Sequence, residues 1–218
     1  MLEFALVAAF LVPLLAGSFT IGMTLAKGIQ AANVCREGAV LLVRATTDPA
    51  AGLDLSLPAN QSLIIRAASG LGMNQTGTNL PNPNGKGAVI LSKVIRVGDG
   101  ECSAGITPAP VGAPPWNSGN CPNYDSYVFA SRIVIGNGTR FSSVLGNPPG
   151  GTVRSDGTLS AQEIATDTGN RAQKFGPSGI ITLNIGTFAL ISEMYVDLSQ
   201  FNIFSIVRSP VIYKRTIS

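Results

Sequence analysis

Hydrophobic and polar residues are distributed unevenly along this chain, and the asymmetry begins at its first residues. From Phe4 to Ala26 no residue is charged, a stretch of 23 bounded by Glu3 and Lys27. As an α-helix rising about 1.5 Å per residue it is about 35 Å long, enough to cross a hydrocarbon layer roughly 30 Å thick. Beyond Lys27 the pattern changes without breaking. Ile29, Ala32, Val40 and Val43 approximate one apolar face, while Lys27, Gln30, Asn33, Arg36, Glu37 and Arg44 supply polar positions. No breaker occurs before Thr46-Thr47-Asp48-Pro49, so the spacing predicts one helix over about residues 3–45, apolar in its first half and amphipathic in its second. Such a helix is far longer than the globular average, and its first half needs lipid or neighbouring helices.

Past Pro49 the period shortens. Pro58 to Ser69 predicts a second helix, with Asn60 or Ser62 near its start and Gly70 after its end. Ala88–Val97 and Tyr127–Ile135 are rich in Val and Ile, carry matching cores (Ser92-Lys93-Val94-Ile95 and Ser131-Arg132-Ile133-Val134) and each end in a Gly-flanked turn signal. They read as paired antiparallel strands. Two further β segments, Ile180–Leu198 and Ile203–Ile217, complete a sheet of four or five strands packed on the amphipathic half of the first helix. The expected fold is therefore α+β and pilin-like: residues 1–27 as an apolar transmembrane or filament-core helix, and residues 28–218 as a single globular domain. Arg140 to Gly179 holds few large apolar residues and predicts an ordered surface excursion, the place for subunit contacts or display.

Small residues recur within the apolar stretch at Ala5, Ala9, Pro13 and Gly17, with Gly22, Ala26 and Gly28 further on. At helical spacing they let backbones approach where apolar burial does not discriminate, although membrane-helix composition explains the pattern nearly as well. Pro13 lacks an amide proton, which frees the carbonyl of Ala9 and predicts a kink or a short melted turn.

Three readings of the N-terminus compete: a secretory signal peptide, a simple membrane anchor and an assembling helix. A signal peptide opens with Lys or Arg, whereas this chain opens Met-Leu-Glu. An anchor gains nothing from Glu3 at its tip, because burying a charge in a bilayer costs roughly 2.5–3.5 kcal/mol unless it is paired. A chain amino terminus, as at Met1, neutralises such a carboxylate between neighbouring subunits and sets axial register; the plain alternative is that Glu3 lies at the wet membrane edge. The lack of a basic leader is expected of a processed chain.

Composition narrows the chemistry. Only 12% of the 218 residues are charged, and the net charge of +3 comes from Lys and Arg scattered singly, which gives no patch for nucleic acid. There is no histidine, hence neither the commonest general base nor the commonest transition-metal ligand. No nucleophile elbow, phosphate loop or paired-carboxylate motif occurs, so no catalytic residue, cofactor or metal site is expected. Gly98-Asp99-Gly100-Glu101 and Asp156-Gly157 read as acidic turns without a calcium-loop spacing. Asn60-Gln61-Ser62, Asn74-Gln75-Thr76 and Asn137-Gly138-Thr139 fit a glycan acceptor pattern at a frequency that composition alone explains. Between the first two strands, Gly105–Asn123 holds five prolines and Trp116, with Cys102 and Cys121 at its flanks; a disulfide closing the 18 residues between them removes about 3 kcal/mol of unfolded-chain entropy. Cys35 then remains as a buried free thiol.

Glu3-Phe4-Ala5-Leu6-Val7, the apolar stretch behind it and Ala31-Ala32-Asn33-Val34-Cys35-Arg36-Glu37-Gly38-Ala39 together resemble the TadE/TadG-like family of tight-adherence pilins. Ile185-Gly186-Thr187-Phe188-Ala189-Leu190-Ile191-Ser192-Glu193-Met194-Tyr195-Val196-Asp197 is similar to a strand near the end of that family. The resemblance implies a type IV-like pilin: a leader removed by a prepilin peptidase, a long first helix, insertion in the inner membrane before assembly and export by a pilus assembly machinery. The glutamate is third here where such pilins commonly carry it fifth, and the proline falls at Pro13, further from the glutamate than is usual. The expected function is a structural subunit that forms a homo-oligomeric helical filament outside the cell, with Met1, Glu3, Ala5, Ala9, Pro13 and Gly17 as assembly residues. The alternatives are a minor or tip pilin or adhesin, and a membrane-anchored extracytoplasmic binding domain that never polymerises.

Overall fold

The computed structural model describes residues 2–47, 58–73, 85–110, 112, 114–199 and 211–218. Helix α1 runs unbroken from Leu2 to Thr47. It continues through Pro13, so the expected melted turn does not form; one missing amide bond does not end a helix of 46 residues. Helix α2 (Pro58–Ala67) is shorter than its sequence suggested, because a 3-10 turn over Ser69–Leu71 follows and Gly72, at φ 69°, makes the left-handed exit expected of Gly70.

Four strands, β1 (Gly87–Arg96), β2 (Tyr127–Gly136), β3 (Phe188–Asp197) and β4 (Val211–Ile217), form one antiparallel sheet in the order β2-β1-β3-β4. The two expected long strands pair as read, with Leu91 opposite Ile133 and Lys93 opposite Ser131. Of the segment expected from Ile180, only Phe188 onward is strand; residues 203–210 of the fourth expected strand lie outside the described residues. The register slips between Lys93 and Val94, leaving Ala130 as an extra residue in β2 whose carbonyl accepts the Leu159 amide at 3.0 Å.

Alternation along β1 and β3 is hidden because both faces of the sheet are covered. On one face, Val89, Leu91, Met194 and Val196 meet Ala31, Val34, Cys35 and Leu42 of α1 and Ile64 of α2. On the other, Val94, Phe129 and Ile191 pack under Leu145, Leu159 and Leu183. The segment Arg140 to Gly179 is therefore a third layer rather than a surface excursion: its few large apolar side chains are spaced so that they land on the sheet. Beyond the end of the sheet where β1 finishes and β2 begins, the short helices α3 (Asp99–Gly105) and α4 (Ala161–Thr166) enclose a small cluster of Val97, Trp116, Val128 and Ala165 with the joined Cys102 and Cys121. The Gly98–Glu101 stretch, read as a turn, opens α3: the Glu101 carboxylate accepts the Gly98 amide at 2.9 Å.

The buried face of α1 also differs from the expected one. Ala31, Val34, Cys35, Gly38, Ala39 and Leu42 face the sheet, whereas Ile29 and Val40 point outward at 57% and 46% exposure. Bulk misled the reading: a close helix-on-sheet contact selects small side chains. A Cβ at Gly38 would sit 2.9 Å from Ser192 Oγ and 3.1 Å from Leu91 Cδ2, so glycine sets how near α1 comes. One turn earlier the buried Cys35 thiol donates to the Ser192 carbonyl at 3.0 Å.

Candidate assembly surface

α1 leaves the body at a defined point. Gly28 lies beside Ile212 near the start of β4. Lys27 Nζ donates to the carbonyl of Gly70, and Gln30 Nε2 to that of Ala67 at 3.3 Å. These carbonyls end α2 and the 3-10 turn, where a cation and an amide satisfy acceptors that the helix itself leaves unbonded. The joint fixes the direction in which the preceding residues project.

Before that joint, α1 presents apolar side chains to its surroundings on every side. Phe10, Leu14 and Ile21 are more than 70% exposed, and Leu11, Val12, Leu15, Phe19 and Leu25 more than half. Successive residues step by about 100°, so Phe10, Leu11, Val12, Leu14 and Leu15 sample the whole circumference. A helix apolar all round belongs in lipid or among other helices. Its few hydroxyls agree, because Ser18, Thr20 and Thr24 donate at 2.8–2.9 Å to the carbonyls of Leu15, Ala16 and Thr20 in the same helix. Among the described residues α1 is the one helix long and apolar enough to cross a membrane.

The residues expected to mediate assembly fall on this projecting rod. Ala9 and Pro13 are exposed, and a side chain added at Gly17 would meet open space. The backbone of Glu3 and Ala5 lies within α1, while their side chains and Met1 lie outside the described residues. Among the described residues no other element packs on Ala9, Pro13 or Gly17. Of the acceptor patterns, Asn137 is buried with its amide nitrogen 2.8 Å from the Gly85 carbonyl, while the Asn60 side chain and Asn74 lie outside the described residues.

A buried polar cluster that the sequence reading missed lies beneath the third layer. Glu193, fully buried on β3, accepts the hydroxyls of Ser143, Tyr213 (2.9 Å) and Tyr195 (3.3 Å). The neighbouring Arg132, its own pKa lowered chiefly by burial, donates to the Gly146 carbonyl at 2.7 Å. Burial and the Glu193 carboxylate raise both tyrosine hydroxyls well above their ordinary range. The shared partner makes this a clamp between β3, β4 and the covering layer. Its signal was three polar residues, Glu193, Tyr195 and Tyr213, on strands otherwise apolar.

No protein family, curated protein or solved structure matches this chain.

Proposed function

We propose that this chain is the subunit of an extracellular pilus-like filament, held in a membrane through the first half of α1 before assembly and then polymerised by packing those halves together. The observation that carries this reading is the all-round apolar exposure of α1 before Lys27, on a helix rigidly continuous with the body's core. Burying one large side chain stabilises by about 1.5–3 kcal/mol, so a rod with nine of them exposed among the described residues does not remain in water. Parallel rods in a bundle shelter one another and leave the sheet bodies outside. The resemblance to TadE/TadG-like pilins supports the same reading and adds a prepilin peptidase and an export machinery as partners. A homopolymer is favoured over a minor or tip subunit because the apolar surface surrounds the rod, offering contacts to several identical neighbours.

Glu3 is the only charge between residues 2 and 26, so a bundle that buries it must pair it. In Glu3→Ala, filaments are lost or much reduced while the subunit still fractionates with membranes. Wild-type protein found only as lipid-embedded single copies, with no fibres by electron microscopy, would establish the anchored binding domain instead.

A further inference from the structure

The projecting rod and the sheet share a direction. A Cβ at Gly28 would lie 3.8 Å from Ile212 Cδ1 near the start of β4, and further along both elements the Thr216 hydroxyl donates to Cys35 Sγ at 3.5 Å. Over that interval α1 advances about 10 Å and β4 about 13 Å, so the helix runs along the strand. Strand β3 begins at Phe188 and ends at Asp197, which pairs with Val211, so the two ends of the sheet lie about 30 Å apart. The rod leaves past the Val211 end, the exit end, and the Phe188 end is the far end, directed away from it.

No spacer separates the rod from the body. Ala26 is the last residue of the uncharged stretch, Lys27 already donates to the Gly70 carbonyl, and Gly28 already lies beside Ile212. The helix is continuous across this junction. When the residues before Lys27 fill the hydrocarbon layer, the exit end of the sheet and the turn at Ser69–Leu71 stand at the level where hydrocarbon gives way to headgroups. Two apolar side chains are exposed at that level, Ile29 of α1 at 57% and Val211 of β4 at 44%. Ile185 and Phe188, comparably exposed, lie at the far end, a strand's length away.

Resting on the membrane-held stage of the reading above, we infer that before assembly the exit end of the body is seated in the headgroup layer of the bilayer, with its strands upright and Ile29 and Val211 against lipid. Lipid is the occupant because this surface continues, without a break in the helix, a span of lipid length. The seat has a mechanical consequence. A membrane-length helix alone fixes neither its depth nor its tilt, and both are set by what is anchored at its ends. A body joined directly to the rod is a stop that limits how far the rod sinks and leans. Copies so seated stand at one height with their rods parallel, and diffusion within the membrane plane then brings like segments of the rods together.

The test uses the full chain reconstituted in phosphatidylcholine vesicles, at a lipid excess that keeps copies apart, with a fluorophore on one added cysteine. The unaltered chain, whose free thiol at Cys35 is buried, controls for stray labelling. A nitroxide carried on the lipid beside its headgroup quenches labels at Ile29→Cys and Val211→Cys by about half or more and leaves those at Ile185→Cys and Phe188→Cys unchanged, because the interface it reports is only about 5–10 Å deep. A flexible glycine–serine spacer of about eight residues between Lys27 and Gly28 lifts the body by about 15 Å and relieves the quenching at Val211→Cys. Equal quenching at Val211→Cys and Phe188→Cys, or quenching that the spacer leaves in place, overturns the seat, while resistance of the protein to alkaline carbonate extraction keeps the membrane reading intact. Protection of Val211→Cys that appears only when copies are crowded assigns this surface to a second copy and also overturns the seat. Release of the chain by carbonate overturns the membrane-held stage itself.

Discussion

The two halves of α1 make an instructive pair. They belong to one unbroken helix, and large apolar residues occur in both, yet their side chains have opposite fates. After Lys27 the residues that are buried are mostly small, Ala31, Cys35, Gly38 and Ala39, and they let the helix lie close on β1 and β3. Before it, Phe10, Leu14 and Ile21 are more than 70% exposed among the described residues. What distinguishes the halves is whether a partner is supplied in cis. The second half completes the chain's own core, and the first half is apolar surface that the described residues leave exposed.

This contrast is broken most severely at Leu42 and Gly38. Leu42→Ala costs about 2–5 kcal/mol of body stability through lost packing and the cavity left behind, read by chemical denaturation in detergent. Gly38→Leu forces its side chain into Ser192 and Leu91 and lowers the midpoint comparably. In the first half, Gly17→Leu leaves the same midpoint unchanged, since a side chain there meets open space, and its effect falls on filament yield instead. A Gly17→Leu chain whose body is as destabilised as that of Gly38→Leu contradicts the division of labour. Removing the Cys102–Cys121 bridge comes next, at about 2–5 kcal/mol. The loss is measured by comparing oxidised protein with Cys102→Ala/Cys121→Ala, and it leaves α1's contact with the sheet intact because the bridge lies at the far end.

The smallest effect concerns pH and separates the two faces of the sheet. Tyr195 and Tyr213 have hydroxyl pKa values raised by burial and by Glu193, so the folded state holds these protons more tightly than the unfolded chain does. Their contribution is complete below about pH 10, the ordinary tyrosine value, and drains away as the unfolded chain ionises above it. Stability therefore falls on alkaline titration, and Tyr213→Phe makes that fall shallower. An unchanged slope in Tyr213→Phe shows that the clamp does not govern alkaline unfolding.

How much of this was legible depended on the element. The length of α1 follows from the absence of a breaker up to Thr46, and β1 and β2 from dense Val and Ile ending in glycine turns; both are local signals. The disulfide was legible because two cysteines flank a proline-rich loop, leaving Cys35 on a distant helix as the one alternative partner. The docking face of α1 was not. Its stripe Ala31, Val34, Cys35, Gly38, Ala39, Leu42 has proper helical spacing, yet Ile29 and Val40 looked the better hydrophobic anchors. Which face wins is decided by the distance to the sheet, a quantity no single segment contains. The Arg140–Gly179 layer escaped for a related reason: its apolar residues are sparse along the chain and become dense only when projected onto β2, β1 and β3.

By itself the sequence determined the existence of a lipid-length apolar helix, its unbroken continuation, two of the strands and the pairing of two cysteines, because each rests on spacing, breakers or chemistry within a short stretch. Tertiary structure alone decided which side of α1 is buried, that both faces of the sheet are covered, and that Glu193 is clamped by two tyrosines and a serine. Those are long-range facts. They depend on which distant residues share a space, and that is set only when the chain has closed around its sheet.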